Sequence, residues 1–178
     1  MLKRAHTGKA VNPPTGVEFA WRVHTAMENW TAKVDAKASI LLAFQGGAFI
    51  FAVTTRSALT GVGPGPVVAG AISLVLLGLA SACAATAVLP VLGSSRRHRA
   101  ESADEWIYFG HVRLWAPAEL AGRLSHLRAK DEMQTLSRQL VRMSRLVWRK
   151  HRLVQGSVLL TLAAMLAMLV AVAMRTGW

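Results

Sequence analysis

Tyr108, His111 and Arg113 put a phenol ring, an imidazole and a guanidinium within six positions of the chain. Together these groups can stack on a flat surface, exchange hydrogen bonds and neutralise an anion. A second cationic set, Arg138, Arg142, Arg145, Arg149 and Arg152, recurs at spacings of 4, 3, 4 and 3, so a helix would carry all five on one face. The chemistry on offer is that of binding. The six histidines, His6, His24, His98, His111, His126 and His151, form no i,i+4 pair and no HExxH run, and neither GxSxG nor GxxxxGK[ST] occurs. Cys83 is the only cysteine, which excludes an intrachain disulfide and a cysteine metal framework. Among Ala80, Ser81, Ala82, Ala84 and Ala85 it reads as a small packing residue. No catalytic residue, no metal site and no enzymatic activity are expected.

The elements that must position these groups are dominated by three apolar segments. Residues 57–95 contain no charged side chain and hold one full-length apolar stretch, 67–92, set off by Gly63-Pro64-Gly65-Pro66. As a helix it would be about 39 Å long, more than the roughly 30 Å of a hydrocarbon layer. Residues 38–55, between Lys37 and Arg56, and residues 153–174, between Arg152 and Arg175, are likewise uncharged and long enough to span. The expected fold is an all-α membrane protein with three transmembrane helices and cytosolic helical segments. Its parts are an N-terminal tail and stalk (1–37), a transmembrane hairpin (38–92), a polar helical segment (93–152) and a third span with the C-terminus (153–178). Neither polar segment is long enough to bury a sizeable core alone. With 37 mostly polar residues before the first span, no signal peptide is expected.

The net charge of +12 is explained by topology. Of 21 lysines and arginines, 6 lie in residues 1–37 and 13 in residues 93–152, so the positive-inside rule places both segments in the cytoplasm. The turn at 61–66 and the C-terminus then lie outside. A nucleic-acid partner is not expected, because no binding motif or aromatic interleaving accompanies the charge. The spans lack Asp, Glu and His, with Gln45 and scattered Ser and Thr as their most polar residues; this argues against an ion-coupled transporter and against intramembrane hydrolysis. Small residues, Gly46 and Gly47, residues 80–85, and Ala163, Ala167 and Ala171, suit close helix packing, within one protomer or between copies.

In the polar segments, Thr15 with Glu18 and Ser102 with Glu105 match the capping box, the first preceded by Pro13-Pro14. One helix should start near Gly16 and run unbroken into the first span. A short aromatic helix should follow Ser102 and end or bend at Gly110. Another should begin at Pro117 with Leu120, Leu124 and Leu127 on one face, and the pattern resumes at Leu136, Leu140, Met143 and Val147 toward the third span. Alternatives stay open for the binding groups. Trp106, Ile107 and Phe109 would dock a short helix that Tyr108 and His111 satisfy locally, or Tyr108, His111 and Arg113 would hold a ligand. The arginine stripe would anchor topology against anionic head groups, or also gather an anionic ligand or acidic partner. Asp35 and Lys37, just outside the first span, are read as an inter-helix or inter-protomer pairing motif rather than ligand contacts.

Two signatures resemble a known family. Ala32-Lys33-Val34-Asp35-Ala36-Lys37-Ala38-Ser39-Ile40-Leu41-Leu42, running straight into the first span, and Asp104-Glu105-Trp106-Ile107-Tyr108-Phe109-Gly110-His111-Val112 look like the Pycsar transmembrane effectors of bacterial anti-phage defence. The plan of helical lead-in, membrane hairpin, cytosolic helices and final span is also similar. The resemblance implies a multi-pass protein of the inner (plasma) membrane, activated by cyclic CMP or cyclic UMP from a pyrimidine cyclase encoded next to it. It would impair the membrane of the infected cell, causing abortive infection, as a homo-oligomer with no other cofactor. For such a ligand, Tyr108, His111 and Arg113 would meet base, ribose and phosphate. The competing expectation is a constitutive membrane scaffold that binds anionic lipid without a small ligand.

Overall fold

The computed structural model describes residues 15–61, 63–89 and 106–177. The expectations for the tail before residue 15, for residues 90–92 at the end of the second apolar segment and for the Ser102–Glu105 capping pair lie outside them. Among the described residues every element is helical: α1 (Gly16–Thr55), a 3-10 turn (Arg56–Leu59), α2 (Pro64–Val88), the single turn α3 (Phe109–Val112), α4 (Pro117–Ser125) and α5 (Ala129–Thr176). Three of these, α1, α2 and α5, are long and apolar enough to cross a membrane. The chain is an all-α membrane protein with three candidate spans.

Local chemistry sets the helix ends. At the start of α1 the Thr15 amide donates to Glu18 Oε2 at 2.9 Å and the Glu18 amide to Thr15 Oγ1 at 3.3 Å, closing the capping box and satisfying amides that have no partner inside the helix. The turn before α2 bends at Gly61 (φ 94°) and Gly63 (φ 113°), a backbone region that side chains with a Cβ avoid. α2 begins at Pro64, three residues ahead of the apolar segment. Pro64 and Pro66 sit in the first turn, where a missing N–H costs nothing. At the start of α5, Arg128 Nε pairs with Asp131 Oδ2 at 2.9 Å, and Asp131 and Glu132 place negative charge at the positive helix end.

Two expectations change. α4 ends at Ser125, which leaves Leu127 outside the helix and Leu124 45% exposed, so the 120/124/127 face is not formed. The acidic pair at 131 and 132 favours a new helix start there over continuation of α4. Around Gly110, the described residues hold only the four-residue turn α3, and Gly110 lies inside it. Its role is close approach: a Cβ at Gly110 would collide with the Tyr108 ring.

The described residues belong to two compact units, residues 15–26 with 106–140, and residues 27–61 and 63–89 with 141–177. In the first, Ala20, His24, His111, Thr135 and Leu136 are buried. Trp21 Nε1 donates to Glu132 Oε1 at 2.8 Å, the Trp21 and His24 rings meet edge-on at 5.4 Å, and the Met133 methyl lies against Gly16.

The second unit is a three-helix packing with a regular seam. On α2 the buried residues are Pro66, Gly70, Ser73, Leu77, Ala80, Ala84 and Ala87, alternating steps of 4 and 3. On α5 the buried Lys150, Ser157, Thr161, Ala164, Met168 and Ala171 keep the same steps, as do Val34, Ala38, Gln45, Ala52 and Leu59 on α1 and its 3-10 turn when whole heptads are counted. A 3.5-residue repeat is that of helices packed with knobs in holes. Most of these residues are small. Lipid tails are as apolar as the side chains, so association here depends on close contact and hydrogen bonds more than on apolar burial. Leu59 packs where Gly70 presents bare backbone, 2.7 Å from the position a Cβ would take.

Candidate functional site

The seam of the spans carries four polar side chains that the sequence scatters over 117 positions, Gln45, Ser73, Ser157 and Thr161, each no more than 4% exposed. The Ser157 hydroxyl donates to the carbonyl of Ala80 at 2.9 Å, and the Thr161 hydroxyl to that of Ser157 at 2.8 Å. Both oxygens are therefore acceptors toward Gln45, whose Nε2 donates to each at 2.8 Å. Ser73 donates to the carbonyl of Ala164 at 2.8 Å. Seven residues forward along α2, from Ser73 to Ala80, correspond to seven back along α5, from Ala164 to Ser157, so these two helices run antiparallel. Gln45 Oε1 is buried with no hydrogen-bond partner among the described residues.

Just before the apolar part of both helices, Lys150 Nζ meets Asp35 Oδ1 at 2.6 Å. Lys150 is 8% exposed, and its carboxylate partner offsets the cost of holding an ammonium out of water. Lys37, the other member of the juxtamembrane motif, is exposed on a different face of α1.

Tyr108, His111 and Arg113 are brought together by local contacts. The Tyr108 and His111 rings meet edge-on at 5.3 Å, His111 is buried, and Arg113 Nε donates to the Gly110 carbonyl at 3.2 Å. The Arg113 side chain is thus tied to the turn that carries the buried imidazole and the aromatic ring. The same contacts also close a tight turn. Arg138, Arg142, Arg145, Arg149 and Arg152 all lie on α5 and all are exposed.

Sequence reasoning missed Lys150 and undervalued Gln45. The signal for both was the heptad. On α5 the steps Met143, Val147, Lys150, Val154, Ser157, Thr161 include one ionisable residue, and each arginine of the stripe lies two positions past a seam residue. On α1 the steps Val34, Ala38, Leu41, Gln45, Ala48, Ala52 include one amide.

No curated protein and no solved structure shows a significant match to the chain. Residues 19–177 match the Pycsar effector protein domain, from the first turns of α1 to the end of α5. With a match of that extent over a three-span helical architecture, the chain belongs to the Pycsar effector protein family.

Proposed function

We propose that this protein is the membrane effector of an anti-phage defence system, switched on by cyclic CMP or cyclic UMP from a partner pyrimidine cyclase. The observation that carries the reading is the family match over residues 19–177, together with three membrane-length helices. In this reading the N-terminus and residues 93–152 face the cytoplasm, and the turn at 61–66 and the C-terminus face outward. The nucleotide binds at Tyr108, His111 and Arg113, where the guanidinium neutralises the phosphate diester and the ring and imidazole meet base and ribose. Binding favours a different packing of protomers. The spans repack, and the inner membrane loses its barrier before the phage matures. A ligand can drive such a change only as far as it prefers one arrangement over the other.

The polar seam supports the mechanism. Helices held by a few hydrogen bonds and small-residue contacts have alternative partners in other copies of the chain, and the gain from each bond is modest in lipid, about 0.6 kcal/mol on average. The test is thermal unfolding of the detergent-purified chain against cyclic purine and pyrimidine mononucleotides, with linear monophosphates as controls. A cyclic pyrimidine at a hundred times its Kd should add about 2.7 kcal/mol to the native state. A flat response from folded protein would instead favour a constitutive scaffold on anionic lipid, the role suited to the exposed arginines of α5.

A further inference from the structure

A groove of about 460 Å³ lies between α1 and α5, lined by Val34, Lys37, His151, Val154, Gln155, Val158 and Leu159. Its chemistry is divided along the helix axes. Lys37 is the last residue before the uncharged segment of α1, and His151 is next to Arg152, the last charge before that of α5. The lining therefore carries two basic groups and the Gln155 amide near the membrane boundary. Val158 and Leu159 continue it into the apolar depth of the span. No carboxylate lines it. The nearby Asp35 is engaged by Lys150 at 2.6 Å, and Lys37 and His151 make no hydrogen bond or ion pair among the described residues. Both are exposed.

We infer that this groove is a binding site for one anionic phospholipid. The charge pattern selects the occupant. A phosphate diester at the boundary would be held by the Lys37 ammonium and the His151 and Gln155 donors, with its acyl chain along Val154, Val158 and Leu159. A zwitterionic headgroup brings an ammonium into a rim that is already cationic, and a free phosphate has nothing to lay on the apolar floor. The volume lies in the range of small-molecule sites. The bound lipid bridges α1 and α5 on the outer side of the Asp35–Lys150 pair, so it stabilises the association of these two helices. The inference needs only that the chain spans a membrane; it does not rest on the nucleotide reading.

The test is thermal unfolding and native mass spectrometry of the full chain in detergent, titrated with short-chain phosphatidylglycerol, matched phosphatidylcholine and glycerol phosphate. Phosphatidylglycerol should bind at least about ten-fold more tightly than phosphatidylcholine, because both offer the same phosphate diester but only the second brings an ammonium against the basic rim, and glycerol phosphate should not compete at equal concentration. Lys37→Gln with His151→Gln should abolish the preference, whereas Lys33→Gln, one turn earlier on the exposed surface of α1, should retain it. Should the double variant fail to fold, Val158→Phe fills the groove from its apolar end and should weaken binding of both lipids. Equal affinity for the two lipids, a preference that survives the double variant, undiminished binding of both lipids in the filling variant, or full competition by glycerol phosphate would overturn the assignment.

Discussion

The polar layer of the spans and the turn around Tyr108 both bury polar groups, yet they are built in opposite ways. Gln45, Ser73, Ser157 and Thr161 come from three helices, and every bond that Gln45 makes joins residues more than a hundred positions apart. Tyr108, Gly110, His111 and Arg113 touch within six positions, through one ring pair and one side-chain bond to the backbone. The first arrangement exists only while the helices are assembled in this register. The second has these contacts within one short segment, with His111 buried in the core of its unit. A ligand platform benefits from local definition, and a membrane segment that must repack benefits from bonds that depend on its partners.

The sharpest way to break this comparison is at the local turn. His111→Ala or Arg113→Ala should abolish nucleotide-dependent toxicity while membrane insertion is retained; toxicity persisting in both variants would remove the turn as the sensor. Next in size is the ion pair. Asp35→Ala strands the Lys150 ammonium at 8% exposure, and should cost about 3 kcal/mol, the lower end for a broken buried pair because Asp35 is partly open to solvent. The exchange Asp35→Lys with Lys150→Asp should recover part of the loss in thermal unfolding; no recovery would mean that packing rather than charge is responsible.

Gln45→Leu tests the layer itself. The substitution removes two intramembrane hydrogen bonds of about 0.6 kcal/mol each, but also an orphaned carbonyl whose burial costs about 1–3 kcal/mol. The second effect wins, so unfolding free energy should rise by about 1 kcal/mol. A fall of that size would show that Oε1 has a partner in the membrane, such as an ordered water. The smallest effect is at the start of α1. Thr15→Ala loses one side of the capping box and should lower stability by about 1 kcal/mol or less, and Thr15→Ser should restore it.

Much of the architecture was legible because its signals are local. Uncharged runs bounded by Lys37, Arg56, Arg152 and Arg175 define membrane-length helices by length and solvation alone, and the Thr15–Glu18 box is complete within four residues. The α4 face was misread because the 120/124/127 spacing is helical, whereas the helix end depends on competition with the acidic start of α5. Gly110 was misread for a similar reason: glycine signals a break in the chain as readily as it signals room for a neighbouring ring. The candidate binding groups were found as residue types, and their mutual contacts were not.

By itself, then, the sequence determined the helical class, three membrane-length spans and the family, since hydropathy, charge and short motifs act on the chain one segment at a time. Only the tertiary structure decided that Lys150 faces Asp35, that Gln45 bridges to Ser157 and Thr161, and that a groove opens between Lys37 and His151. Those outcomes depend on the register of one helix against another. Register is set by the summed fit of the 3-4 seams, and no single segment contains that information.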